Sequence, residues 1–98
     1  MEIKFEDEQL ERLERDSNFD AGFDRSVVKK FRMRIQFIRS APDERTFYSM
    51  KSLHYEKLKG DLDGYHSMRL NDQWRLIIKI IKDEIGKLVV VISISDYH

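Results

Sequence analysis

Apolar side chains in the segment EQLERLER, from Glu8 to Arg15, occur only at Leu10 and Leu13, with Glu and Arg at every position except Gln9. A three-residue spacing puts both leucines on one side of a helix and the charges around the rest. The stretch SNFDAGFD interrupts that pattern. It resumes with Val28, Phe31, Ile35 and Ile38, whose spacing predicts a second helix capped by Asp24 or Ser26. Lys29, Lys30, Arg32, Arg34 and Arg39 fall around its remaining circumference, solvated or facing a partner. The only proline, Pro42, disfavours helical geometry at Ala41 and ends the helix. Ahead of both helices, EIKF from Glu2 to Phe5 predicts a short edge strand.

After the proline the hydrophobic period falls from about 3.6 to 2. The segments HYEKLK, YHSMRL, WRLIIKII and LVVVISIS are separated by GDLDG, ND and KDEIGK. Connections this short join antiparallel neighbours, which predicts a meander of about four strands. The expected fold is α+β: two N-terminal helices packed on one face of a mainly antiparallel sheet of about four to five strands. With no repeat, low-complexity tract or linker, residues 1–98 are expected to form a single domain.

Alternation also sorts the side chains between the two sheet faces. If Leu58, Met68, Leu70, Trp74, Leu76, Ile78 and Ile80 point toward the helices, the other face carries Lys57, Lys59, Ser67, Arg69, Arg75, Ile77, Lys79, Ser93, Ser95 and Tyr97. That face is expected to be basic, hydroxyl-bearing and free of acidic residues, with Lys57, Arg69 and Lys79 among the cations available to the phosphates of a polyanion. Trp74, Tyr65 and His66 are expected to serve packing.

Charge sharpens this picture. The net charge is zero, but Met1 to Asp24 holds three Lys/Arg against nine Asp/Glu, a net of −6, and Arg25 to His98 holds 15 against nine, a net of +6. Either an acidic helix packs beside a basic one or the surface carries a positive patch suited to a polyanion. There is no cysteine, so disulfides and thiolate-bound metals are excluded. No apolar run approaches the roughly 18 residues that span a membrane, and the acidic opening MEIKFEDEQLERLER does not read as a signal peptide. A cytoplasmic protein is the expectation. His54, His66 and His98 lack a metal-ligand spacing, so neither metal nor other cofactor is expected.

The pieces LKGD, GYHSMRLNDQWR and the closing DYH, in that order, resemble the HigB branch of the RelE/ParE toxin superfamily, the toxins of bacterial toxin–antitoxin modules. The resemblance is strong over the C-terminal half and loose over the rest. It implies a ribosome-dependent endoribonuclease that cuts translated mRNA and inhibits translation. It also implies inhibition by a HigA-like helix-turn-helix antitoxin, through which alone DNA is contacted. Carried over by position, the catalytic group falls on Asp96, Tyr97, His98, Arg75 and Lys59. Some relatives carry a histidine on the strand before LKGD; this chain has Glu56 there and His54 two residues earlier, and either or neither takes that role.

The chemistry needs only such groups. When a 2′-hydroxyl attacks the adjacent phosphate, something must take its proton, cations must hold the added negative charge, and the leaving 5′-oxygen needs a proton. Arg75 and Lys59 are suited to the charge, and His98 and Tyr97 to proton transfer or base stacking, with Asp96 orienting His98. The alternative from a different class is a non-enzymatic ParE-like inhibitor of DNA gyrase.

Overall fold

In a computed structural model that describes residues 1–82 and 84–96, the elements run β1 (Glu2–Phe5), α1 (Glu8–Arg15), α2 (Arg25–Ser40), α3 (Arg45–Ser49), β2 (Glu56–Lys57), β3 (His66–Arg69), β4 (Arg75–Lys82) and β5 (Lys87–Ser95). Single 3₁₀ turns at Lys51–Leu53 and Gly60–Leu62 flank β2. Asp7 caps α1 by accepting from the Gln9 amide at 2.8 Å, and α2 begins after Asp24 without a side-chain cap. Ala41 is its C-cap, at the residue before Pro42.

The sheet order is β1-β5-β4-β3-β2. Strands β2 to β5 form the expected antiparallel meander, and β1 is an edge strand, as its sequence predicts, but it pairs parallel to β5. The intervening helices and the meander give the chain the length that such a parallel return needs. Short connections alone point to antiparallel neighbours, so the mixed character of the sheet lies beyond local reading. The third helix, α3, is also an addition to the two expected. It is one turn long, too short for a hydrophobic period, and it buries a single residue, Phe47.

Helices and sheet enclose one core. Leu10 and Leu13 from α1, Val27, Val28, Phe31, Ile35 and Ile38 from α2, and Met68, Leu76, Ile78, Val89 and Val91 from the sheet are all buried in it. Trp74 packs against this cluster and sets its ring edge-on to Phe23 at 5.4 Å. A β-bulge then changes the parity of β5. Ile77 pairs with Ser93 but Ile78 pairs with Val91, so Ile92 is the extra residue. Because of it Val89, Val91 and Ile94 all serve the core while Ser93 and Ser95 face away beside Ile77 and Arg75.

Two cationic residues of α2 depart from a solvated face. Arg32 donates to the carbonyls of Leu13, Asp16 and Phe19, closing the end of α1 and the turn after it against α2. Arg34 donates through Nε to the carbonyl of Arg69 at 3.0 Å, tying α2 to the end of β3. Arg39 meets Glu14 through two hydrogen bonds, so the acidic helix does pack beside the basic one.

Candidate active site

The sheet face turned away from the helices carries Arg69, Arg75 and Lys79 of the sequence-predicted residues, and Arg75 is its best-defined member. It opens β4, opposite Arg69 on one side and Ser95 on the other. Its Nε donates to Ser67 Oγ at 2.8 Å and its Nη2 to the His54 carbonyl at 2.6 Å. Ser67 is fully buried, and the Arg75 side chain is 16% exposed. Long cationic side chains seldom enter such a position unless held, and here both acceptors are fixed by the fold. His54 contributes through its main chain, in the left-handed region at φ 45°, which turns the carbonyl after the 3₁₀ turn.

Glu56 stands beside this arginine, its carboxylate 3.6 Å from Nη2 and half exposed. The face is therefore not free of acid, and the reason lies in the register of β2. Glu56 pairs with Ser67 and Lys57 with His66, and residues directly opposite share a face. Lys57 consequently lies on the helix side, where its charge acts on His66. The expected placement of Lys57 on the outer face with Arg75 is corrected by this one-residue difference in parity. Leu58 is corrected with it: buried, but outside the main core, like Ile77 and Val90, which the pairing puts on the outer face.

The other predicted residues divide. Arg69 is cross-strand to Arg75 and forms an ion pair with Asp72. Lys79 lies on the same face, four residues along β4, with its ammonium 5.7 Å from the Tyr65 ring centroid. Lys59 is exposed at the start of the second 3₁₀ turn, three residues beyond Glu56. Asp96 follows Ser95, the residue opposite Arg75, and accepts from Gln73 Nε2 at 3.2 Å. Tyr97 and His98 lie outside the described residues. Among the described residues no three His, Cys, Asp or Glu side chains gather as a metal site would require, and no helix is long and apolar enough to cross a membrane.

His66 is on the helix side. It stacks on Tyr55 at 4.9 Å with its Nε2 3.6 Å from Glu44, and burial holds its imidazole below the usual histidine range. Glu44 also accepts from the Tyr55 hydroxyl at 2.9 Å, and burial together with that carboxylate drives the phenol far above its usual range.

Two helices and a short third across a five-stranded sheet, with an arginine at the start of the penultimate strand opposite Ser95 of the last one, define a RelE/ParE-like toxin fold. Within that class the chain belongs to the HigB-like toxins: the family model described as the RelE-like toxin of type II toxin–antitoxin system HigB matches residues 3–98. The fold is similar to that of a YoeB/ParE toxin from Agrobacterium tumefaciens, 20% identical with all of both chains covered and a TM-score of 0.61. It is similar to a YoeB–YefM complex from Staphylococcus aureus, at 23% identity over 100% of this chain and 97% of that one, TM-score 0.60. Escherichia coli YafQ is 13% identical over 97% of this chain and 91% of its own, TM-score 0.60. No curated protein sequence matches the chain.

Proposed function

We propose that the chain is an endoribonuclease that cuts messenger RNA on the ribosome without a metal ion, and that a HigA-type helix-turn-helix antitoxin holds it inactive. One observation carries the reading: the enclosed Arg75, fixed by Ser67 Oγ and the His54 carbonyl, faces the Glu56 carboxylate at 3.6 Å. The two recorded bonds use two of the guanidinium's five N–H groups, and the remaining fork is suited to phosphate oxygens.

The reaction follows from those groups. The 2′-hydroxyl oxygen attacks the adjacent phosphorus, and the bond from phosphorus to the 5′-oxygen breaks, leaving a 2′,3′-cyclic phosphate and a 5′-hydroxyl. Of the two residues left open by the sequence, Glu56 takes the proton, since its carboxylate stands beside Arg75 and His54 serves through its carbonyl. Arg75 and Lys59 hold the charge that gathers on the phosphorane oxygens. The leaving oxygen receives its proton from His98, an imidazole that ordinarily titrates at about 6.5, while Tyr97 offers a ring to an unstacked base and Asp96 orients the tail. Lys79 and Arg69 hold flanking phosphates. The family and its solved relatives, one of them a YoeB–YefM complex, support the antitoxin; the family model's span over residues 3–98 supports reading residues 1–98 as a single toxin domain.

The test is to incubate the purified chain with translating ribosomes, map RNA 5′-ends and identify the chemistry of the new ends. Cleavage that requires ribosomes, leaves 2′,3′-cyclic phosphate and 5′-hydroxyl ends and falls about 10² to 10³-fold in Arg75→Ala is expected. Growth arrest with intact message and trapped gyrase–DNA complexes would establish the ParE-like alternative instead.

A further inference from the structure

We propose that Lys30, Arg34 and Arg69 form an oxyanion subsite that takes a backbone phosphate of single-stranded RNA, separate from the phosphate at Arg75 and reached from it across the strand pair. The three cations, with Ser52, Asn71 and Asp72, line a cavity of about 340 Å³ where α2 meets the β3–β4 turn.

The cavity offers donors and has almost no acceptor to spare. Arg34 spends Nε on the Arg69 carbonyl, which leaves its two terminal nitrogens. Asn71 spends its side-chain oxygen on the amides of Gln73, at 2.9 Å, and Trp74, at 2.7 Å, which leaves its amide N–H groups. Asp72 is the one carboxylate in the lining and is paired with Arg69. Three cations against one anion give the site a net charge of +2.

That charge is held at a cost. Arg69 stands directly opposite Arg75, and like charges in that relation repel. Burial lowers the affinity of Arg34 for its proton, and the charge of Arg69 adds to the effect. A phosphate seated among the three cations would relieve that repulsion and favour the charged form of Arg34.

The choice of RNA rests on the reading of the chain as a ribonuclease, and the layout favours it over an acidic peptide. Side chains directly opposite on a strand pair stand about 5 Å apart, so Arg69 bridges Arg75 to the cavity and the cations form a continuous track. A track of that kind follows a polyanion backbone.

The experiment uses the full chain with short oligouridylate as the probe, followed by fluorescence anisotropy across a salt series. Lys30→Gln, whose exposed side chain makes misfolding a minor concern, and Arg34→Gln are each expected to weaken binding about tenfold. Each should also reduce the slope of log affinity against log salt by about 0.7, one single-strand phosphate contact. Parental affinity and slope in Lys30→Gln would overturn the subsite, as would variants that keep RNA but lose binding to oligoglutamate. The ribonuclease reading fails separately: a parent that binds oligouridylate through these residues, yet cuts no message on ribosomes, keeps the subsite and loses the enzyme.

Discussion

Ser67 is a buried polar residue whose hydroxyl is an acceptor for a guanidinium. Ser67→Ala leaves Arg75 Nε unpaired in an enclosed position, so it is expected to cost about 1–3 kcal/mol in urea denaturation. It is also expected to lower RNA cleavage with no change in antitoxin affinity, because it frees the arginine to move. His66 makes the contrasting case. Its Nδ1 is buried without a hydrogen-bond partner among the described residues, while Glu44, Lys57, Tyr55 and, through Glu44, Lys87 surround the ring. With the folded imidazole below its ordinary range, the unfolded chain binds the extra proton. Stability is therefore complete above about pH 6.5 and is lost as the pH falls from there through the folded value. His66→Phe keeps a ring against Tyr55 and removes the proton, so its stability measured between pH 5 and pH 8 is expected to lose this slope while changing little at pH 7.5. A slope equal to the parent's would assign the acid sensitivity to other groups.

Among the elements, α1 is eight residues long, too short to hold as an isolated helix, and it depends on docking to α2. Arg32 makes three of those ties, to carbonyls that have no helical partner. Arg32→Ala is expected to destabilise by about 1.5–3 kcal/mol in denaturation and to speed hydrogen exchange in α1, while Lys29→Ala, on the exposed side, stays within about 0.5 kcal/mol. The spacing of Leu10, Leu13, Val28, Phe31, Ile35 and Ile38 was enough to read both long helices, since each apolar position is a buried one. The meander was legible for the same reason, at period 2. Arg32 was not, because a guanidinium that folds back on carbonyls has the same pattern signature as one in water. Nor was the register of β2: it is two residues long, and alternation across two residues does not choose a face. Lys57 and Glu56 exchanged places on that account. The bulge at Ile92 hid in a run, LVVVISI, that is apolar at nearly every position.

At the scale of the whole molecule, the site depends on bringing distant parts of the chain to one end of the sheet. Arg75 opens β4, His54 and Glu56 come from the segment before β3, and Ser95 and Asp96 close β5. Arg75 and the clamp around it are folded from residues before the tail, and among the described residues the core draws on none beyond Ile94. Tyr97 and His98 follow Asp96 within two residues, about 7 Å of extended chain. A stop after Ser95 therefore removes the proton donor of the proposed reaction and spares the fold. The truncated chain is expected to keep its melting temperature within a few degrees and to bind oligouridylate through Lys30, Arg34 and Arg69. Its cleavage on ribosomes should fall by about 10² to 10⁴, the range of a single acid–base group. His98→Ala should lose as much as the truncation, because groups acting as one unit do not add. If the truncated chain cuts message at the parent's rate, the acid lies elsewhere on the sheet face, and Lys59 becomes the group to replace.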